Sequence, residues 1–415
     1  MLKQAVILAG GLGTRLGPLT RDTPKPLLPV GDAPFLEHVV WNLKRFGIER
    51  FLFSVGYRAE KIMAHFGNGR RLGVQIEYVF EKTPAGTGGA LVLAQQLGRL
   101  DEWFLVVNGD TLFDINFLDL SVLTQSQRAL AGLALRQIPD ASRYGRVRLN
   151  GVHITGFDEK SGKGPGLING GVYTMHRKAL EHLPPGPSSL ERDLFPKLAA
   201  HGKLVGRVYA GFFIDIGVPE ALQAAQVLVP RWRQRPAVLL DRDGVLNQDL
   251  GHVHRPEEFT WMPGAPETVK WLNDQGYLVI VVTNQSGIAR GYYTEEAFHA
   301  FTAWINQELN KIGAHLDATY YCPHHPTEGY GPYLRTCNCR KPAPGMIQRA
   351  IRDWGIDVPH SLLVGDQETD LLAAQAAGVH AALYYGGPLL PFVQHTLTAL
   401  TTPPPISTPH KERRP

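Results

Sequence analysis

Short apolar runs punctuate the chain at Ala5–Leu8, Phe51–Val55, Phe104–Val107, Val238–Leu240, Tyr277–Val282 and Leu362–Val364. They are nearly unbroken rather than alternating, as expected for strands buried on both faces. Segments with helical spacing lie between them, for example Phe35–Phe46 and Glu295–Lys311. That alternation predicts parallel α/β sheets, and no internal repeat interrupts it. Parallel sheets hold ligands at the carboxyl ends of their strands, so the residues just after each run carry the chemistry.

A length of 415 residues exceeds one ordinary core and predicts more than one domain. The boundary falls where Arg231, Arg233 and Arg235 lead to Pro236 and a fresh strand at Ala237. We read residues 1–230 as one domain, 231–236 as a solvated linker, 237–392 as a second domain and 393–415 as a flexible, Pro-rich tail. The expected fold is α/β, two Rossmann-like doubly wound domains in succession. A formal charge of +4 fits anionic small-molecule substrates. No binding module surrounds the arginines, so nucleic acid is not expected as a partner. No apolar run approaches the roughly 18 residues that span a bilayer. The start runs directly into a strand and a glycine turn, so the expected location is cytoplasmic, away from membranes. Oligomeric state has no signature in the chain.

The first strand leads into Leu8-Ala9-Gly10-Gly11-Leu12-Gly13-Thr14-Arg15. Glycines there let backbone N–H groups approach phosphate oxygens, and Arg15 and Lys25 supply positive charge. Asp110 follows the strand Phe104–Val107 through Asn108-Gly109, and Asp215 follows Phe212-Phe213-Ile214. Two acids at strand ends can hold Mg²⁺ between phosphates, although each alone also suits a turn or helix cap.

These segments, with Pro24-Lys25-Pro26-Leu27-Leu28, Gly86-Thr87-Gly88-Gly89, Glu159-Lys160, Asn169-Gly170-Gly171 and Asp215-Ile216-Gly217, resemble the sugar-1-phosphate nucleotidyltransferases over residues 1–225. The resemblance implies a glycosyltransferase-A-like domain in which Leu8, Gly10, Gly11, Gly13 and Thr14 bind the nucleotide. Arg15 and Lys25 would serve its phosphates. It also implies that Gly86 and Thr87 hold base and ribose, and that Asn108, Glu159 and Asn169 line the substrate side. Asp110 and Asp215 would bind Mg²⁺.

The second half opens with Leu239-Leu240-Asp241-Arg242-Asp243. Acids at i and i+2 of an extended strand exit share a face. One can attack phosphorus while the other handles the leaving-group proton. Thr283, Asn284, Gln285 and Ser286 follow the next strand with phosphate donors, Arg340 and Lys341 add cations, and Asp366, with Asp370 four residues on, supplies metal-binding acid. All three cysteines in the chain, Cys322, Cys337 and Cys339, lie close together beside His324 and His325. Three thiolates and one imidazole, His324 with His325 as competitor, predict a structural tetrahedral Zn²⁺ site.

This set resembles the haloacid-dehalogenase-like phosphatases, and within them the heptose-1,7-bisphosphate 7-phosphatases over residues 236–386. The resemblance implies Asp241 as nucleophile, Asp243 as acid and base, and Asp241, Asp243 and Asp366 as Mg²⁺ ligands. Asp249, His252, Thr283–Ser286, Arg340 and Lys341 would contact substrate. Gln367 stands where relatives often carry Lys. The N-terminal half is in turn similar to heptose-1-phosphate guanylyltransferases, so the implied substrates are an NTP (GTP) and heptose phosphates. Three alternatives stay open on sequence: another NTP or mannose 1-phosphate, a non-catalytic nucleotide-binding module in the first half, and histidinol phosphate or another sugar phosphate in the second.

Overall fold

The structure is a computed structural model that describes residues 2–11, 13–81, 83–142, 145–158 and 164–401. Two compact units emerge. One comprises Met1–Arg235 with Leu272–Gly276 and Ala303–Asp317; the other holds Pro236–Trp271, Tyr277–Thr302 and the rest from Ala318.

A nine-stranded mixed sheet organises the first unit. Gln75–Phe80, Arg50–Val55, Gln4–Leu8 and Trp103–Asn108 lie side by side in parallel. Gly166–His176 then runs antiparallel to Trp103–Asn108, followed by Ala131–Ile138, Leu204–Val208, His153–Asp158 and Arg146–Asn150. The doubly wound parallel sheet expected from the apolar runs is therefore its first four strands. The later strands carry weaker, interrupted patterns. The helix Phe35–Lys44 buries Phe35, Leu36, Val39, Val40 and Leu43, a stripe at helical spacing. Each such side chain contributes roughly 1.5–3 kcal/mol through burial.

Strand order around Gln4–Leu8 fixes the site. The chain leaves this central strand toward one neighbour and returns on its other side at Trp103–Asn108, with Leu8 paired to Asn108. A crevice opens where the winding reverses.

The second unit repeats the principle in an all-parallel five-stranded sheet, ordered Ala318–Cys322, Leu278–Asn284, Ala237–Leu240, Leu362–Gly365 and His380–Leu383. Its reversal lies between Ala237–Leu240 and Leu362–Gly365, where the Asp241 N–H donates to Val364 O at 2.9 Å.

Two boundary expectations change. The presumed solvated linker is the end of the helix Pro219–Arg233 and the residues after it. Arg235 is buried and donates to Asp114 Oδ2 at 2.6 Å, while the Arg233 guanidinium sits 3.6 Å from the Trp41 ring centroid. Residues 393–401, expected in the tail, belong to the helix Leu389–Thr401, which buries Leu389, Val393 and Leu397. The remainder of that tail lies outside the described residues. No helix among the described residues is long and apolar enough to cross a membrane.

Candidate active sites

At the first crevice, Leu8, Gly11, Gly13, Thr14, Arg15, Lys25 and Asp110 line a cavity of about 240 Å³. A second cavity of about 250 Å³ is lined by Arg15, Asn108, Asn169, Tyr173, Glu191 and Asp215. Arg15 borders both.

The acid pair is assembled by a small ribbon. Phe213–Asp215 pairs antiparallel with Thr111–Phe113, setting Asp215 against Thr111, and Ile216 N–H donates to Asp110 O at 3.1 Å. Lys25, buried, donates to Asp110 Oδ2 and lies 3.9 Å from Asp215 Oδ1. Burial, and then the charge of Asp110, push the Asp215 carboxyl above its ordinary range. Two carboxylates competing for one ammonium leave a net negative seat that suits Mg²⁺.

The structure separates glycines that look alike in sequence. Gly11 and Gly13 line the first cavity. Gly10 turns away, and a Cβ on it would meet Glu81 Oε1 at 2.6 Å. Glu81 accepts from Ser54 Oγ at 2.8 Å and Ala85 N at 3.2 Å, so Gly10 serves close packing. Gly86 and Thr87 line neither cavity. Thr87 Oγ1 donates to Glu191 Oε2 at 3.0 Å and accepts from Leu190 N at 2.9 Å. Thr87 thereby fastens the helical turn Leu190–Leu194 that carries Glu191, a cavity residue that lies in no motif and was missed in sequence. Asn169 Oδ1 accepts from Gly171 N at 2.9 Å, and its Nδ2 donates to Tyr173 Oη at the same distance. Glu159 lies outside the described residues.

In the second unit, Asp241, Asp243, Asp249, His252, Thr283, Asn284, Gln285, Ser286, Lys341 and Asp366 line one cavity of about 330 Å³. Lys341, 2 % exposed at its side chain, places Nζ 2.6 Å from Asp241 Oδ2 and 2.5 Å from Asp370 Oδ1, and donates to Val282 O at 2.9 Å. Asn284 brackets the Lys341 backbone, accepting from its N at 3.0 Å and donating to its O at 3.2 Å. Burial pushes Asp241 up to about 7 against the pull of Lys341, with Asp370 adding to the rise.

The acids gathered closely enough to share a metal are not the same three that the resemblance implies. The acids whose oxygens converge within 4.8 Å are Asp241, Asp366 and Asp370. The Asp243 carboxylate instead accepts from Arg242 at 2.8 Å, Asn247 at 2.9 Å and Gln285 at 3.1 Å. Asp370 enters because Gly365 lets it approach: a Cβ there would lie 2.2 Å from the Asp370 Cβ. The same carboxylate caps the helix Glu368–Ala377, accepting from Gln367 N at 3.1 Å. Arg340 is outside the cavity and donates to His324 O at 3.3 Å.

The Cys322, His324, Cys337 and Cys339 ligand atoms cluster as one group that could hold a metal. Sulfur–sulfur separations are 3.2–3.5 Å, and His324 Nδ1 lies 3.3 Å from Cys339 Sγ and 3.6 Å from Cys322 Sγ. Ligand bonds of about 2.1–2.3 Å require tetrahedral edges of roughly 3.5–3.8 Å, close to these. Burial and the neighbouring Cys339 push the Cys322 thiol up, a cost that a bound cation would remove. His325 is excluded as competitor because its Nδ1 accepts from Thr327 N and Glu328 N at 3.3 and 2.9 Å.

The family model described as nucleotidyl transferase matches residues 4–231, more than half the chain. The chain belongs to the nucleotidyl transferase family. This nucleotidyl transferase carries a second, HAD-hydrolase-like domain, whose family model matches residues 338–390. It is 36% identical over 224 residues to the D-glycero-alpha-D-manno-heptose 1-phosphate guanylyltransferase of Aneurinibacillus thermoaerophilus, covering 54% of this chain and 96% of that one. It is 51% identical over 146 residues to the D-glycero-beta-D-manno-heptose-1,7-bisphosphate 7-phosphatase of Haemophilus ducreyi, covering 35% and 80%. Among solved structures, a proposed glucose-1-phosphate thymidylyltransferase from Bacillus anthracis matches with a TM-score of 0.51 and 26% identity, over 55% of this chain and 95% of that one. The nucleotidyl transferase is therefore a fusion of two enzyme types, a transferase and a phosphatase.

Proposed function

We propose that the chain performs two consecutive steps of nucleotide-activated heptose synthesis. The C-terminal domain hydrolyses the 7-phosphate of D-glycero-D-manno-heptose 1,7-bisphosphate. The N-terminal domain then transfers GMP from GTP to the resulting heptose 1-phosphate and releases pyrophosphate. One observation carries this reading: apart from the anomer, the product implied by the phosphatase relative's name is the substrate of the guanylyltransferase relative, and both likenesses sit in one chain.

In the phosphatase, an Asp241 oxygen attacks phosphorus and the bond to the sugar C7 oxygen breaks, with Asp243 donating the proton to that leaving oxygen. Water, deprotonated by Asp243, then attacks the phosphoaspartate and frees inorganic phosphate and Asp241. Lys341 neutralises charge on the attacking carboxylate, and Asp241, Asp366 and Asp370 would hold Mg²⁺, which supplies further neutralisation of the phosphoryl oxygens. Cys322, His324, Cys337 and Cys339 would hold a structural Zn²⁺, which would supply a cross-link fixing the approach to Arg340 and Lys341. In the transferase, the sugar-phosphate oxygen attacks the α-phosphorus in line while Arg15 and Lys25 counter the developing charge. Asp110 and Asp215 would hold the Mg²⁺ that draws the two anions together.

Neither step touches the C1–O bond, so the anomer accepted by the phosphatase is the anomer of the final product. The relatives are named for different anomers, beta for the phosphatase and alpha for the guanylyltransferase. The test gives the whole protein each anomer of the bisphosphate with Mg²⁺ and GTP, ATP, CTP or UTP, and identifies the product by mass and anomeric NMR. GDP-heptose from the alpha anomer is expected. A product formed with ATP but not GTP overturns the base assignment, and faster phosphate release from histidinol phosphate overturns the substrate.

A further inference from the structure

The residue between the two strand-exit acids, Arg242, has no part in the chemistry described so far, yet it touches the acid and base directly. The two oxygens of Asp243 are held unequally. Oδ1 accepts from Arg242 Nη2 at 2.9 Å, from Arg242 Nε at 3.2 Å and from Asn247 Nδ2 at 2.9 Å. Oδ2 accepts from the same Nη2 at 2.8 Å and, more loosely, from Gln285 Nε2 on the cavity wall at 3.1 Å.

Arg242 is itself fixed from several sides. Leu246 N and Asn247 N donate to its carbonyl at 2.8 and 3.1 Å, and Gly244 N donates to Asn247 O at 2.7 Å. This tight turn brings Arg242 and Asn247 to the same carboxylate. Nη2 also donates to Val253 O at 2.6 Å, next to the cavity residue His252. The guanidinium carbon lies 5.4 and 6.0 Å from the ring centroids of Phe301 and Phe298. The side chain is 3% exposed, and Nη1 is buried without a hydrogen-bond partner. Stability alone does not call for a charge here, because a buried ion pair is commonly matched by hydrocarbon of similar volume. A guanidinium supplies something else: its planar fork fixes a direction, where the ammonium of Lys341 beside Asp241 acts as a point charge.

We propose that Arg242 is the positioning residue of the acid and base, locking Oδ1 so that Oδ2 is the oxygen that exchanges the proton. This rests on the acid–base reading of Asp243 above. In the first step the proton passes from Oδ2 to the sugar C7 oxygen as its bond to phosphorus breaks, and in the second Oδ2 takes a proton from water.

The test uses single turnovers of the full-length protein with Mg²⁺, reading release of the leaving group from two substrates. Heptose 1,7-bisphosphate has an alkoxide leaving group that needs the proton; para-nitrophenyl phosphate has a phenolate that leaves without it. Arg242→Lys, which keeps the charge and loses the fork, should slow heptose 1-phosphate release at least tenfold and nitrophenolate release less than threefold. Arg242→Met should fold, with melting close to wild type, and show the same split. Equal slowing on both substrates, or none on either, overturns the proposal. So does an Arg242→Met chain that fails to fold, since the guanidinium is then structural. Asp243→Asn separates the two levels of the argument. If it slows both substrates alike, the acid–base reading falls and this inference with it. If Asp243→Asn splits the substrates and the Arg242 variants do not, the inference alone falls.

Discussion

The ammonium of Lys341 lies 2.6 Å from the carboxylate of Asp241, at the end of a side chain only 2% exposed. Removing that ammonium leaves two buried carboxylates facing each other. Lys341→Met should reduce phosphate release by roughly 10²-fold or more and destabilise the domain by about 3–5 kcal/mol. Guanylyl transfer to supplied heptose 1-phosphate should continue. Phosphate and pyrophosphate release, measured separately on one preparation, check both halves of the statement.

The same site predicts a pH dependence. Burial raises the Asp241 carboxyl to about 7, so protons and Mg²⁺ compete for it below that pH. The Mg²⁺ concentration giving half-maximal phosphatase rate should rise about tenfold between pH 8 and pH 6. Without metal, the folded state binds more protons than the unfolded chain between about pH 4 and 7. Stability of the metal-free protein should therefore fall as pH rises through that window. Melting curves with and without Mg²⁺ at pH 5, 6, 7 and 8 test the sign.

Asp110 and Asp215 should be needed together. Asp110→Asn or Asp215→Asn removes one of the two charges facing Lys25. Pyrophosphate release should drop at least 10²-fold in either variant while heptose-bisphosphate hydrolysis is unchanged. A variant that keeps full transfer would return the first domain to the non-catalytic reading.

Gly10 and Gly11, neighbours in one motif, should fail differently. A Cβ at Gly10 meets Glu81 Oε1 at 2.6 Å, whereas at Gly11 nothing lies within 4 Å. Gly10→Ala should destabilise the transferase by about 1–3 kcal/mol through overpacking. Gly11→Ala should leave melting unchanged and raise KM for GTP, because its methyl group enters the space left for phosphate. Identical effects from the two substitutions would contradict this assignment.

The cysteine loop gives a test by metal removal. Zinc should be present at one equivalent per chain, and Cys337→Ser should abolish it. Loss of a structural metal should lower the phosphatase melting transition by roughly 5 °C or more and weaken phosphate release, without affecting guanylyl transfer. Elemental analysis alongside calorimetry decides it.

The sequence by itself determined the two α/β sheets, because their central strands are buried on both faces and write that burial as unbroken apolar runs. It also determined the acids at their ends and the Cys/His loop, since those depend on residue type and near-neighbour spacing. Only the tertiary structure could place Asp215 beside Asp110, 105 positions earlier in the numbering, through the ribbon Phe213–Asp215 and Thr111–Phe113. It alone gathered Asp370 with Asp241 and Asp366 into one group of acids that could hold a metal, turned Gly10 toward Glu81, and brought Glu191 to the cavity wall. Those relations arise from packing between segments far apart in the chain, which no local pattern records. Arg233 and Arg235 depart from the solvated expectation for the same reason, since Trp41 supplies a face to one and Asp114 a counter-charge to the other, while Arg231 stays exposed.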